Sequence, residues 1–406
     1  MTLIHDIAPA LFLLVAALLL FGGSRIARQF GLPEALGCGV ALCIIAIATG
    51  LLLGTWRATW AGGAWGDRLL TYTRIVGITG MLFLAGTRFD FAWIRLRADR
   101  VFRTVIVAVL LFVIVLVMPK FLAMDVTPIV LVSATVVSSS LWYPGEFRGS
   151  DNNNDLVIKW QMAALVFTTC AFLVLYFFEA LTTAHRASLS VLAYVVLALY
   201  EAVKLFVLFG FAYFICSRFL ARTQGRVSSI RITIGFVLIT VLIFGLTLIT
   251  TNQLGAFAWA FLAGLLWQHS AIGMDFGVAH RPATSALLMS FAFVPLLLQT
   301  HGRDLKGWPA SALFVVSVVA IKTIVARFAI NTAHLPKYST TRLAIALAVP
   351  GEIAIGFLGF AIARWPIGSP TYFVILGYGV IATVLVPSIW PAVTLAETNK
   401  RAPIYQ

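Results

Sequence analysis

Charged side chains that could bind an ion or a small solute stand inside long apolar runs of this sequence. Lys322 lies near the middle of one run, and Glu352 directly follows Pro350 and Gly351 in another. A charge inside such a run is costly and usually faces a cavity or a partner, so Lys322 must find an anion or carbonyl groups, or lose its proton. We expect Lys322 and Glu352 to belong to a site, whereas Arg327 can reach the membrane surface.

A second set of candidates lies in the hydroxyl-rich stretch SATVVSSS. Hydroxyl groups satisfy backbone carbonyls where a membrane helix is broken, and they can line an ion path. They also form hydrogen bonds between intact helices, and this stretch is compatible with either role. The candidates are Ser133, Thr135, Ser138 and Ser139.

Glu201 and Lys204 share one face of a predicted helix because they are three residues apart. We interpret them as a structural ion pair. The sequence has no glycine-rich phosphate loop, no metal-binding spacing and no nucleophile paired with histidine, so we predict neither an enzyme, a metal nor a cofactor. The four cysteines lie in apolar runs and indicate no disulfide framework.

The elements that must hold these residues are membrane-spanning helices. The chain has 406 residues, of which 61% are hydrophobic and 11% charged, whereas soluble domains are about 25% charged. Apolar runs of about 20 residues, enough to cross a bilayer, recur along the sequence. We predict an all-α membrane protein with about 13 spans. The spans lie near 8–23, 33–54, 69–87, 102–118, 124–143, 158–180, 188–216, 230–250, 254–268, 284–300, 308–332, 343–363 and 368–393.

The distribution of basic residues predicts the orientation. The loops after odd-numbered spans, together with the C-terminus, hold more than twice as many Lys and Arg residues as the other loops. The positive-inside rule then places the N-terminus outside and the C-terminus in the cytoplasm, which requires an odd number of spans. This bias accounts for the net charge of +14 without a nucleic-acid partner. We expect the inner (plasma) membrane of a bacterium.

A faint internal repeat organises the single membrane domain 1–406. Spans two and nine both end in a Gly-Leu-Leu run, and spans five and twelve both carry a polar interruption, SATVVSSS and VPGE. Each pair is an odd number of spans apart, so the second unit is inverted, with discontinuous helices at matched positions. The predicted units are 33–181 as the first repeat, 182–253 as connecting helices, 254–393 as the inverted repeat and 394–406 as a cytoplasmic tail.

Several segments resemble the cation:proton antiporter superfamily, the sodium/proton exchanger and Kef-type group. GLPEALGCGVALCIIAIATGLLLG is similar to the second span of that family, LFLAGTRFDFAWIR to the third and LGAFAWAFLAGLL to the ninth. FAFVPLLLQTHGRDL is similar to the tenth, and GEIAIG to the twelfth, with Pro350 where Arg is usual. Lys322 falls where the family has a basic residue in span eleven. The resemblance implies a homodimer in which a core unit moves against a scaffold unit and exchanges a monovalent cation for protons.

The sequence departs from the family at the residues that carry the ions. Where the family usually has an Asn-Asp, Asp-Asp or Gln-Asp pair in span six, with the Asp that binds the ion and the proton, this chain has Thr168 and Thr169. Threonine hydroxyls can coordinate a cation but cannot carry the coupling proton, and Lys322 loses its expected acidic partner. Three hypotheses follow. The protein is an antiporter whose acid has moved to Glu352, a transporter of the same fold that uses Lys322 for an anionic or uncharged solute, or a non-transporting partner or sensor subunit.

Overall fold

A computed structural model gives the architecture of the protein. The structure describes residues 2–30, 37–49, 64–87, 98–117, 137–139, 141, 155–185, 191–223, 229–250, 253–268, 281–299, 308–329, 344, 347 and 348.

The described residues are almost entirely helical, and the helices coincide with ten of the predicted spans. They are α1 Thr2–Gln29, α2 Gly37–Thr49, α3 Ala64–Thr87, α4 Ala98–Val117, α5 Asp155–His185, α6 Val191–Thr223, α7 Ser229–Thr250, α8 Gln253–Gln268, α9 Arg281–Gln299 and α10 Trp308–Ala329. No strand occurs within these ranges. This confirms the all-helical class, while the count of thirteen spans and the inverted repeat stay predictions.

Four of the described helices contain segments long and apolar enough to cross a membrane. They are Ala10–Gln29, Arg68–Thr87, Val195–Phe219 and Arg231–Ile249. Shorter apolar stretches occur in α2, α5, α8 and α9. The outward faces of these helices carry large apolar side chains such as Phe206 and Leu242, which suits contact with lipid rather than water.

One set of helices packs closely through small residues. α3 lies between α8 and α9, α9 also packs on α1, and α8 also packs on α7. The backbones of α3 and α8 approach so closely that a Cβ at Gly264 would collide with the carbonyl oxygen of Phe83, and one at Gly86 with that of Phe261. Glycine is required at both positions, as is common where membrane helices are held together by packing. We call α1–α3 and α6–α9 the scaffold set.

A second set consists of α4, α5 and α10, with α4 packed between the other two. Ser139 and Ser138 are hydrogen-bonded to α5 and α10, respectively, and Leu347 is hydrogen-bonded to Ser139. We call this group the core set. Among the described helices, the two sets meet mainly where α5 contacts α6 and, to a lesser extent, α8.

Several sequence predictions lie outside the described residues. Most of the predicted span five and span twelve and all of span thirteen fall there, as do Ser133, Thr135 and Glu352. All four cysteines are described, and each is a free thiol.

Candidate transport site

The chain is not helical at Ser138 and Ser139, immediately after the helical residue Val137. Both serines are almost fully buried in the core set. A break in a helix exposes N–H and C=O groups that must find partners, because hydrocarbon offers none. The hydrogen bonds around these two residues show how the core set supplies those partners.

Thr168 of α5 satisfies both backbone groups of Ser139. Its hydroxyl donates to the Ser139 carbonyl oxygen at 2.5 Å and accepts the Ser139 N–H at 3.2 Å. A hydroxyl has one donor and two acceptor sites, so one side chain can serve both groups at once. Thr168 is 2% exposed and therefore acts as a buried clamp on the break.

Lys322 of α10 reaches the same break from the other side. Its Nζ donates to the carbonyl oxygen of Ser138 at 2.6 Å, and the residue is fully buried. An ammonium group has three N–H donors, and Ser138 occupies one of them. Among the residues that the structure describes, no carboxylate contacts Lys322. Of the three outcomes expected for this lysine, namely an anion, carbonyl groups or loss of its proton, the described contact is with one carbonyl group.

A fourth hydrogen bond joins the break to the segment that precedes Glu352 in the sequence. The Ser139 hydroxyl donates to the carbonyl oxygen of Leu347 at 2.7 Å. Leu347 is helical and Ala348 lies in a turn, and both are buried. Two segments 208 residues apart thus meet beside Thr168 and Lys322. We call Ser138, Ser139, Thr168, Lys322 and Leu347 the crossing cluster.

The chemistry of the crossing cluster is that of hydroxyls, carbonyl groups and one lysine amino group. Carbonyl and hydroxyl oxygens can replace the water shell of a cation, and a lysine that is protonated favours an anion. None of the five residues that define the crossing cluster is an acid. A carboxylate that couples protons to transport at this cluster would therefore have to come from another part of the chain.

Thr169 follows Thr168 but does not share its surroundings. Its side chain is exposed and lines an apolar cavity of about 510 Å³ between α5, α6 and α8, together with Thr168. The structure therefore brings together four of the predicted site residues, Ser138, Ser139, Thr168 and Lys322, and leaves Thr169 at the edge of the cluster.

Glu201 and Lys204 of α6 form a separate polar contact where the two sets of helices meet. Lys204 Nζ lies 2.6 Å from Glu201 Oε1 and 2.5 Å from Oε2. Glu201 Oε2 also accepts a hydrogen bond from the Tyr176 hydroxyl of α5, at 2.5 Å. The ion pair of Glu201 and Lys204 is therefore also hydrogen-bonded to a residue of the core set. The spacing of the two residues along α6 does not indicate this second contact.

Two members of these clusters were missed by sequence reasoning. Leu347 contributes only its carbonyl oxygen, which no side-chain pattern can reveal. Tyr176 offered a weak signal, since a buried tyrosine hydroxyl in an apolar run needs a hydrogen-bond partner.

Comparison with known proteins identifies a solved structure with the same fold. No protein-family model matches the sequence, and no curated protein does. Among solved structures, the chain is similar to the sodium proton antiporter MjNhaP1 from Methanocaldococcus jannaschii, with a TM-score of 0.61 over 100% of both chains. The two sequences are 12% identical, so the likeness shows that the chain has the fold of that antiporter and goes no further.

Proposed function

We propose that this protein is a secondary active transporter that works by alternating access, with the core set moving against the scaffold set. The crossing cluster carries this proposal. In it, non-helical backbone is buried among apolar helices and is satisfied by Thr168 and Lys322. Buried, irregular backbone is tolerated in membranes where it is enclosed by protein or lines a path, and transporters place their sites there.

The contrast between the two sets supports a moving core. The scaffold set is joined by close backbone packing, and among the described helices the core set meets it mainly through α5. A small contact between rigid bodies allows one to slide or rock against the other. The fold shared with a sodium proton antiporter is consistent with this division.

More specifically, we propose that the protein exchanges a monovalent cation for protons. It would do so as a homodimer, in which each chain has 13 spans and is built from two inverted repeats. Glu352 is the proposed coupling acid. It lies five residues after Leu347, which belongs to the crossing cluster. Backbone carbonyl groups would coordinate the cation together with the hydroxyls of four residues, Ser133, Thr135, Ser138 and Ser139. The proposed location is a bacterial inner membrane, with the N-terminus outside.

Flux through the purified protein tests the proposal. The protein is reconstituted in liposomes, and internal pH is followed with a dye while sodium, potassium or lithium is added outside. Cation-dependent proton movement is expected, and Glu352→Gln should abolish it because an amide cannot release a proton. If the Glu352→Gln variant still exchanges cations for protons, Glu352 is not the coupling acid. No flux of any ion or solute would favour a non-transporting subunit and overturn the proposal.

One observation favours a second candidate function, the transport of an anionic or uncharged solute. Lys322 is fully buried and donates to a backbone carbonyl, with no described carboxylate in contact. When this amine is protonated, it attracts an anion, and its two other N–H groups can donate to a solute.

The two candidate functions predict that different substitutions abolish transport. Lys322→Ala should abolish flux of an anion, whereas Arg327→Ala, five residues further along α10 and exposed, should leave it unchanged. The assay is uptake of labelled inorganic and organic anions into the same liposomes. Transport that survives both Lys322→Ala and Glu352→Gln would contradict the assigned site.

A further inference from the structure

The cavity beside the crossing cluster is lined almost wholly by apolar side chains. It has a volume of about 510 Å³, within the range of roughly 300–1,000 Å³ that is usual for small-molecule sites. The described lining residues come from α5, α6 and α8, with Leu141, and only the two threonines among them are polar. No charged residue is among them.

The cavity is elongated along α5. Its lining residues on that helix run from Leu165 to Phe177, which corresponds to about 18 Å at a rise of 1.5 Å per residue. Its buried walls include Phe172, Leu205 and Phe261, which are 7%, 6% and 7% exposed. The shape suits a long, apolar group.

The cavity opens on an apolar, exposed part of the helix surface. Two lining residues at its mouth, Leu173 of α5 and Phe206 of α6, are 41% and 81% exposed on apolar helix faces. A molecule can therefore enter from the hydrocarbon without crossing the aqueous phase. Lipid chains are the material that surrounds such a mouth in a membrane.

Water and hydrated ions fit this cavity poorly. A buried water needs two to four polar partners, and the Thr168 hydroxyl is already engaged with both backbone groups of Ser139. Only Thr169 remains among the described polar lining residues. An ion would lose its water shell without replacement, whereas an apolar chain gains contact with three helices.

From these observations we infer that the cavity is a binding site for an acyl chain of a bilayer lipid. The chain enters between Leu173 and Phe206 and lies between α5 of the core set and α6 and α8 of the scaffold set. A bound chain thus touches both sets at the place where they meet. The inference concerns binding alone and does not depend on which solute, if any, the protein transports.

Photo-cross-linking in lipid nanodiscs tests the site. The full-length protein is reconstituted in phosphatidylcholine with a trace of the same lipid that carries a diazirine on one acyl chain. After irradiation, adducts are located by peptide mass spectrometry. We expect adducts on the buried wall residues Phe172, Leu205 and Phe261. Leu242 of α7, which is 75% exposed, reports labelling by bulk lipid.

Two variants fill the cavity from different walls. Ala258→Phe on α8 and Ala202→Phe on α6 both place a ring at lining positions. Each should reduce the wall adducts by about tenfold, the factor that corresponds to about 1.4 kcal/mol of binding, and leave the Leu242 adduct unchanged. Val203→Phe is the matched control, because Val203 neighbours Ala202 but is not among the lining residues and is exposed.

The wild-type protein alone can overturn the inference, even if a variant fails to fold. Labelling of Leu242 without labelling of the three wall residues would mean that no acyl chain enters. Protection of Leu173 and Phe206 as well would indicate that a second protein surface covers the mouth, and would also overturn it. Wall adducts that persist in both filled variants would show a different route of labelling.

Discussion

The scaffold set and the core set are held together by different interactions. In the scaffold set, α3 meets α8 through glycines whose missing side chains let the backbones touch, as at Gly86 and Gly264. In the core set, the broken segment at Ser138 and Ser139 is fixed by hydrogen bonds from side chains on other helices. Packing of this kind makes a rigid body, whereas a few directional bonds fix a local arrangement. The proposed transport mechanism needs both, a fixed frame and a site that can change partners.

The largest effect is expected from removing the clamp on the break. Thr168→Val keeps the volume of the side chain but leaves the N–H and C=O of Ser139 without their partner. Each buried group left unsatisfied costs about 1–3 kcal/mol. The free energy of unfolding should therefore fall by the sum of the costs for these two groups. It is measured in mixed detergent micelles by circular dichroism. Thr169→Val, one residue on and exposed, is the control. Equal losses in the two variants would contradict the clamp.

A smaller effect is expected from separating two scaffold helices. Gly264→Ala places a Cβ against the Phe83 carbonyl oxygen and must push α3 and α8 apart. Overpacking of this kind costs about 1–3 kcal/mol. The same substitution at Gly245 of α7 meets nothing within 4 Å, and it should be neutral or stabilise by up to about 1 kcal/mol, because alanine favours helix. Thermal unfolding in detergent compares the pair. Identical melting temperatures would show that α3 and α8 do not need this contact.

The smallest effect is expected where the two sets meet. Tyr176→Phe removes the hydrogen bond to Glu201 and keeps the ring. Hydrogen bonds between membrane helices contribute about 0.6 kcal/mol on average. The loss of unfolding free energy should be near that value, while Tyr213→Phe on the exposed face of α6 should show none. A loss as large as that of Thr168→Val would mean that the boundary is as firmly fixed as the core.

The sequence predicted the helices well because hydrophobic length is a local property. The predicted spans overlap α1, α3 and α10, and they agree with both ends of α10 and the end of α3 to within three residues, whereas α1 extends six residues beyond its predicted span at each end. Lys322, Ser138, Ser139 and Thr168 could also be selected, since polar residues are conspicuous in apolar surroundings. The antiporter fold rested on a resemblance of short segments, and the structural likeness confirms it.

The partners within the site could not be predicted, because they depend on which distant segments meet. The bond from Ser139 to Leu347 spans 208 residues, and that from Lys322 to Ser138 spans 184. Both end on carbonyl oxygens, which every residue has. The bond from Tyr176 to Glu201 was missed because the charged neighbour Lys204 already gave Glu201 a sufficient partner.

The length of α6 ties the boundary to the thickness of the bilayer. Its apolar segment Val195–Phe219 has 25 residues, which span about 37 Å as a helix, whereas a typical hydrocarbon core is about 30 Å thick. The helix matches such a bilayer only when it tilts or when the lipid thickens around it. Because α6 carries Glu201, the partner of Tyr176 on α5, we expect the acyl-chain length of the surrounding membrane to influence the angle at which the two sets of helices meet.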